Sequence, residues 1–207
     1  MTAKAPEDAY TAEPFVPDGG DLAALRRAAS GCRGVPCNWG SSPGIRRTGR
    51  GSRSPAGKLL GRALAETGID PGEAYVTNAV KHFKFTRAEP RKRRIHKAPS
   101  LREMTACGPW LAAEPALVEP KLVVVLGATA GKALLGSSFR VTRVRGTVLE
   151  EEIHGRPERL VPTVHPPPSS RLRSSREVPP AVLRAEDREG AYQGLVADLK
   201  AGARLLA

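Results

Sequence analysis

The stretch Lys121-Leu-Val-Val-Val-Leu126, followed by Gly127, decides the fold of this chain. Its apolar residues run without alternation, the pattern of a strand covered on both faces. Gly127 then turns the chain into a helix predicted over Ala128 to Leu135. A strand that feeds a helix and needs two covers belongs in a layered α/β arrangement.

The flanking segments extend that pattern. Gly57 to Thr67 puts Leu59, Leu60, Ala63 and Leu64 on one helical face. After the Asp70-Pro-Gly turn, Ala74-Tyr-Val-Thr-Asn-Ala-Val80 has the β-branched and aromatic content of a strand. Ser100-Leu-Arg-Glu103 is a capping box, predicting a helix through Cys107 and Trp110 to about Glu114 or slightly beyond. Val141 to Glu150 alternates as a strand does, and Arg159 to Val164 predicts another that ends at His165. Tyr192, Leu195, Val196, Leu199 and Leu205 mark the buried stripe of a last helix over Glu186 to Leu206. Strands separated by helices pair in parallel, so the expected fold is α/β, a three-layer α/β/α sandwich with a central, mainly parallel sheet.

Residues 1–20 are rich in Pro, Gly and acids and read as a flexible tail, leaving 21–207 as one domain. Asp21 can cap a short helix that reaches Ala29. Two irregular segments interrupt the domain. Gly31 to Pro55 holds six Gly, five Arg, three Pro and no acid, and no strand is expected in it. Pro166 to Pro180 is similarly rich in Pro, Ser and Arg. Apolar content this low cannot offset the entropy of ordering a backbone.

Across 207 residues, 33 Lys and Arg outnumber 21 Asp and Glu, a net charge of +12 that calls for a polyanionic partner. The longest apolar run, Leu122 to Leu126, is too short to span a bilayer, and the first residues lack a secretory pattern. The expectation is a cytoplasmic, nucleoid-associated monomer with no membrane partner. Three cysteines in a reducing compartment argue against a disulfide framework, leaving inert thiols or metal ligation. Gly127-Ala-Thr-Ala-Gly-Lys132 is one residue short of a phosphate-binding loop, and Ala133 replaces its hydroxyl residue.

The charge is concentrated. Lys81 to Lys97 contains eight Lys or Arg against the single acid Glu89, interleaved with Phe83, Phe85, His82 and His96. By composition this is a solvated face or a nucleic-acid patch. Its order says more. Thr77-Asn-Ala-Val-Lys-His-Phe-Lys-Phe-Thr-Arg87, followed by Lys92-Arg-Arg-Ile-His-Lys97, resembles the UdgX-type uracil-DNA-binding proteins of the iron–sulfur uracil-DNA glycosylases. The resemblance spans about Gly57 to His165, the final helix, and Gly31 to Gly34.

It implies a uracil-DNA glycosylase-like fold and a role for each matching residue. Asn78 would read the uracil edge, since an amide offers both a donor and an acceptor. His165, at the His-Pro that follows the last strand, would donate to the pyrimidine and stabilise charge on the departing base, although Pro167 and Pro168 stand where Ser is expected. Taken alone, Asn78 and His165 also suit ordinary turn contacts. Lys92, Arg93 and Arg94 would hold phosphates beside an extruded nucleotide, preferably in single-stranded DNA. His96 would capture the sugar cation left by uracil, leaving the protein covalently attached. Cys32, His82 and Cys107 match three ligands of a 4Fe–4S cluster, with Cys37 two residues late for the fourth. A Cys/Cys/His/Cys set also suits zinc.

One motif departs from the pattern. No Asp or Glu occurs between Asp21 and Glu66, and Arg53-Ser-Pro-Ala-Gly57 replaces the expected strand, carboxylate loop and stacking Phe. The first strand of the fold is therefore expected to be lost. A binding protein that keeps fold and cluster without turnover is the alternative to an enzyme.

Overall fold

The computed structural model describes residues 10–34, 46–47, 55–82, 85–87, 94–96, 98–166 and 185–206. In it β5 (Val123–Leu126) runs parallel to β7 (Arg156–Thr163), pairing Val123 with Leu160 and Leu126 with Thr163. β6 (Leu149–Ile153) pairs antiparallel on the other side of β7, so the three-stranded sheet has the order β5-β7-β6 and is mixed. The antiparallel pair follows from its turn. His154 and Gly155 both adopt positive φ, 51° and 78°, the geometry of a tight hairpin whose twist matches the strands.

Both faces of the sheet are covered, as the unbroken apolar run requires. On one face, Val124 and Leu126 meet α2 (Pro55–Glu66) and α7 (Ala185–Ala203) through Leu60, Leu64, Leu195 and Leu199. On the other, Val125, Ile153 and Leu160 pack beneath Ala130 and Leu134 of α5 (Gly127–Leu135). This is the expected α/β sandwich. The end of β7 is tied to α7 by the buried Thr163 hydroxyl, which donates to Asp198 at 2.6 Å. Asp198 also pairs with Arg145 at 2.9 Å.

A second apolar centre joins α1 (Leu22–Gly31) to α4 (Gly108–Val118) through Leu25, Ala29, Cys32 and Trp110. Asp21 caps α1, accepting from the Ala24 amide at 2.7 Å. α3 (Leu101–Ala106) opens on the expected capping box, with Ser100 and Glu103 bonded reciprocally.

Four expectations change. The helix expected from Ser100 to Glu114 is divided at Cys107 into α3 and α4, since Pro109 lacks the amide needed to continue the ladder. Val141–Val144 forms a short helix, α6, in place of a strand, and β6 begins only after Gly146, whose φ of 73° breaks the extended path. The strand expected to Val80 is confined to β2 (Tyr75–Val76), which pairs antiparallel with β1 (Arg46–Arg47), a strand inside the segment expected to have none. Finally, residues 10–20 of the expected tail pack onto the fold: Ala12 is fully buried and its amide donates to the Ala106 carbonyl at 2.8 Å. Apart from Gly31 to Gly34, Arg46, Arg47 and Pro55, the 31–55 segment lies outside the described residues, as does 167–180.

Candidate functional site

Beyond β2 the chain leaves the extended form, and the loop Thr77–His82 is built around one buried ammonium. Lys81 has no exposed surface. Its Nζ donates to the Thr77 hydroxyl at 2.8 Å, the Asn78 carbonyl at 2.8 Å and Glu114 Oε2 at 2.7 Å. The Thr77 hydroxyl in turn donates to Glu114 Oε1 at 3.2 Å. The three donors of the ammonium are thus all used, which is what makes a charge tolerable there. Burial pulls the Lys81 pKa below the usual lysine range, against the opposing attraction of Glu114. Asn78, half-buried, sits on this loop with its backbone held from within.

The loop ends among the expected cluster ligands. Cys32 follows α1, Cys107 sits at the α3–α4 break and His82 closes the loop; they are 1%, 1% and 8% exposed. Burial lowers the pKa of the His82 imidazole, opposed by the hydrogen bond its ring N–H donates to the Ala29 carbonyl. Burial, and then the neighbouring Cys32, push the Cys107 thiol up, whereas the Lys81 amide donates to its sulfur and opposes the rise. Two thiols and an imidazole are therefore all buried, with Cys32 close enough to Cys107 to act on it. Among the described residues, however, no group of three or more His, Cys, Asp or Glu stands close enough together to hold a metal ion. Cys37 lies outside them.

The basic run becomes a hairpin of β3 (Phe85–Arg87) and β4 (Arg94–His96). Its antiparallel register sets His96 opposite Phe85 and Arg94 opposite Arg87. His96 therefore stands at the base of the hairpin, on the side where the chain leaves His82. Lys92 and Arg93 fall in the connection, outside the described residues.

His165 lies two residues beyond β7, at the carboxyl end of the parallel pair, where open α/β sheets place their ligands. It is exposed, with Nδ1 3.0 Å from the Pro166 carbonyl. Gly127 makes room for it. A Cβ there would stand 3.2 Å from His165 Cβ, and the Gly127 φ of 81° further disfavours any side chain. His165 and the start of α5 consequently share one edge of the sheet.

An open groove of about 660 Å³ lies elsewhere, lined by Val16, Pro17, Thr105, Pro109, Ala113 and His154 among others. It includes none of the expected site residues, so the chemistry is better sought at Asn78, His96 and His165. The residues missed in the sequence are Thr77, Lys81 and Glu114. The available signal was Glu114 itself, the only charge in the Gly108–Val118 helix.

A family model for the uracil DNA glycosylase superfamily matches residues 5–193. The chain belongs to the uracil-DNA glycosylase superfamily. It is 34% identical over 139 residues to a type-4 uracil-DNA glycosylase of Thermotoga maritima, covering 66% of each chain. Similarity extends to type-4 uracil-DNA glycosylases of Pyrobaculum aerophilum, at 30% identity over 61% of this chain and 63% of that one, and of Sulfurisphaera tokodaii, at 31% over 61% and 57%. The matched stretch thus spans slightly less than two thirds of each of these superfamily members. No helix among the described residues is long and apolar enough to cross a membrane.

Proposed function

We propose that this superfamily member is a DNA-repair protein that binds uracil in single-stranded DNA, excises it and stays attached through His96. The observation that carries the proposal is the superfamily match over residues 5–193, which takes in Asn78, the basic hairpin and His165.

In this reading the C1′–N1 bond breaks and its electron pair leaves with the base. Asn78 offers hydrogen bonds to the uracil edge, and His165 stabilises the developing anion. The His165 contact constrains its protonation. With Nδ1 donating to the Pro166 carbonyl, Nε2 of a neutral ring is an acceptor, so donation to uracil from Nε2 requires the protonated ring. A neutral His96 ring nitrogen then gives its lone pair to C1′, forming the new C–N bond, and the other nitrogen loses its proton to solvent. Lys92, Arg93 and Arg94 neutralise phosphates beside the flipped nucleotide. The protein acts as a monomer on one strand.

Cys32, His82 and Cys107 suit a 4Fe–4S cluster in donor chemistry and burial, with Cys37 as the fourth candidate ligand, although the described residues do not gather into a metal-binding group. Held by these residues, a cluster would cross-link the end of α1, the Thr77–His82 loop and the α3–α4 junction. Its contribution is structural, and no step of the reaction runs through it.

A second reading has its own observation. The absence of any Asp or Glu between Asp21 and Glu66 removes the carboxylate that would orient a nucleophile, which favours binding without turnover. A denaturing gel separates the two. The glycosylase reading expects a heat- and detergent-stable adduct with uracil-containing single-stranded DNA, none with the thymine counterpart, and none with His96→Ala. Tight binding with neither adduct nor released uracil would leave only the binding reading.

A further inference from the structure

The buried pair Lys81–Glu114 has no part in the chemistry just described, yet it lies beneath the residue proposed to read the base. Both side chains are essentially without solvent, at 0% and 2% exposure, and meet at 2.7 Å. An ion pair this deep is weak evidence for stability, because desolvation of two charges offsets their attraction and an apolar pair of similar volume often does as well. What the pair provides is geometry. The ammonium joins three groups that no apolar side chain could join: the Thr77 hydroxyl, the Asn78 carbonyl and a carboxylate on α4. Glu114 receives both Lys81 and Thr77, one on each oxygen, which fixes the carboxylate plane. The Lys81 amide is held as well, donating to the Cys107 sulfur. Thr77, Asn78 and Lys81 are thereby referred to α4 and not to the sheet, since β2 ends at Val76.

We infer that Lys81 and Glu114 are positioning residues that set the Asn78 backbone, and so the carboxamide it carries, for discrimination of uracil from cytosine, whose edge has the reversed donor and acceptor pattern. The inference rests on the proposed reading of Asn78 as the base-reading amide. Amide recognition of a base edge depends on direction, because a hydrogen bond weakens steeply as donor and acceptor fall out of line. A loop that turns by a few tens of degrees would still admit the nucleotide but would no longer rank the bases. The clamp governs selectivity, while the basic hairpin governs how tightly the strand is held.

Removing one partner strands the other as a buried charge and risks unfolding, so the informative variant removes both, Lys81→Met with Glu114→Leu. Its affinity is measured by fluorescence anisotropy for a single-stranded oligonucleotide whose uridine bears a 2′-fluoro group, which disfavours the sugar cation and keeps the base attached. The oligonucleotide carrying cytosine at the same position is the reference. Backbone hydrogen exchange is followed in the same preparations. The expected result is that cytosine-DNA affinity stays within about twofold of the parent while the preference for uracil over cytosine falls by about tenfold, the scale of one hydrogen bond. Exchange should quicken in Thr77–His82 and hold steady in α2 and α7. Undiminished uracil preference overturns the inference, as does an equal loss of affinity for both DNAs with faster exchange throughout, the mark of a merely structural pair. A parent protein that fails to distinguish uracil from cytosine overturns the proposed reading of Asn78 itself, whatever the exchange data show.

Discussion

His165 and Asn78 rest on opposite kinds of support. His165 follows, two residues on, a strand whose ladder, apolar faces and Thr163–Asp198 anchor all belong to the main core. Asn78 rides a loop held from within by one ammonium and one carboxylate. Apolar support is redundant, shared among many contacts, and relaxes partially when one is removed. Polar support is concentrated, and losing one partner leaves the other as an uncompensated buried charge. The two proposed uracil contacts should therefore fail in different ways.

Three substitutions sharpen that contrast, beginning with the largest effect. Glu114→Ala leaves the Lys81 ammonium buried alone and should cost about 3–5 kcal/mol in chemical denaturation. The double variant lacking both charges should recover most of that loss, and equal destabilisation in the two would erase the distinction drawn here. Leu195→Ala opens a cavity between α7 and α2 and should cost about 2–4 kcal/mol. Its effect should be a general loss of stability, with uracil preference retained in the folded fraction; a selective loss of that preference would show that the core is not redundant support. Gly127→Ala is the mildest, at about 1–2 kcal/mol for a side chain at positive φ. Because its new Cβ presses on His165, it should slow adduct formation more than its stability loss explains. Adduct formation at the parental rate would remove His165 from that edge of the reaction.

The same contrast explains what could be read in advance. Lys121 to Leu135 declared a strand covered on two faces and a following helix, because apolar periodicity records burial directly. α2, α7 and the capping box at Ser100 were legible for the same local reasons. The α3–α4 break was written in Cys107-Gly-Pro109 but outweighed by the apolar stripe running through it. Val141–Val144 shows a different limit: its alternation suited a strand, yet it forms a short helix, and the positive φ of Gly146 separates it from β6. Asn78 and His165 were legible through family resemblance, not through their surroundings. Lys81 was hidden in a run of cations, where nothing local separates a buried ammonium from solvated ones. Its partner stands 33 positions away, a pairing that periodicity does not record.

Peptide mapping after reaction tests the proposed function most directly. Protein incubated with uracil-containing single-stranded DNA, then treated with nuclease and protease, should yield a peptide spanning His96 that carries the deoxyribose remnant. The mass should localise to the imidazole, with one uracil released per modified chain. An unmodified His96 peptide, with no uracil released from the DNA, would contradict excision and capture alike.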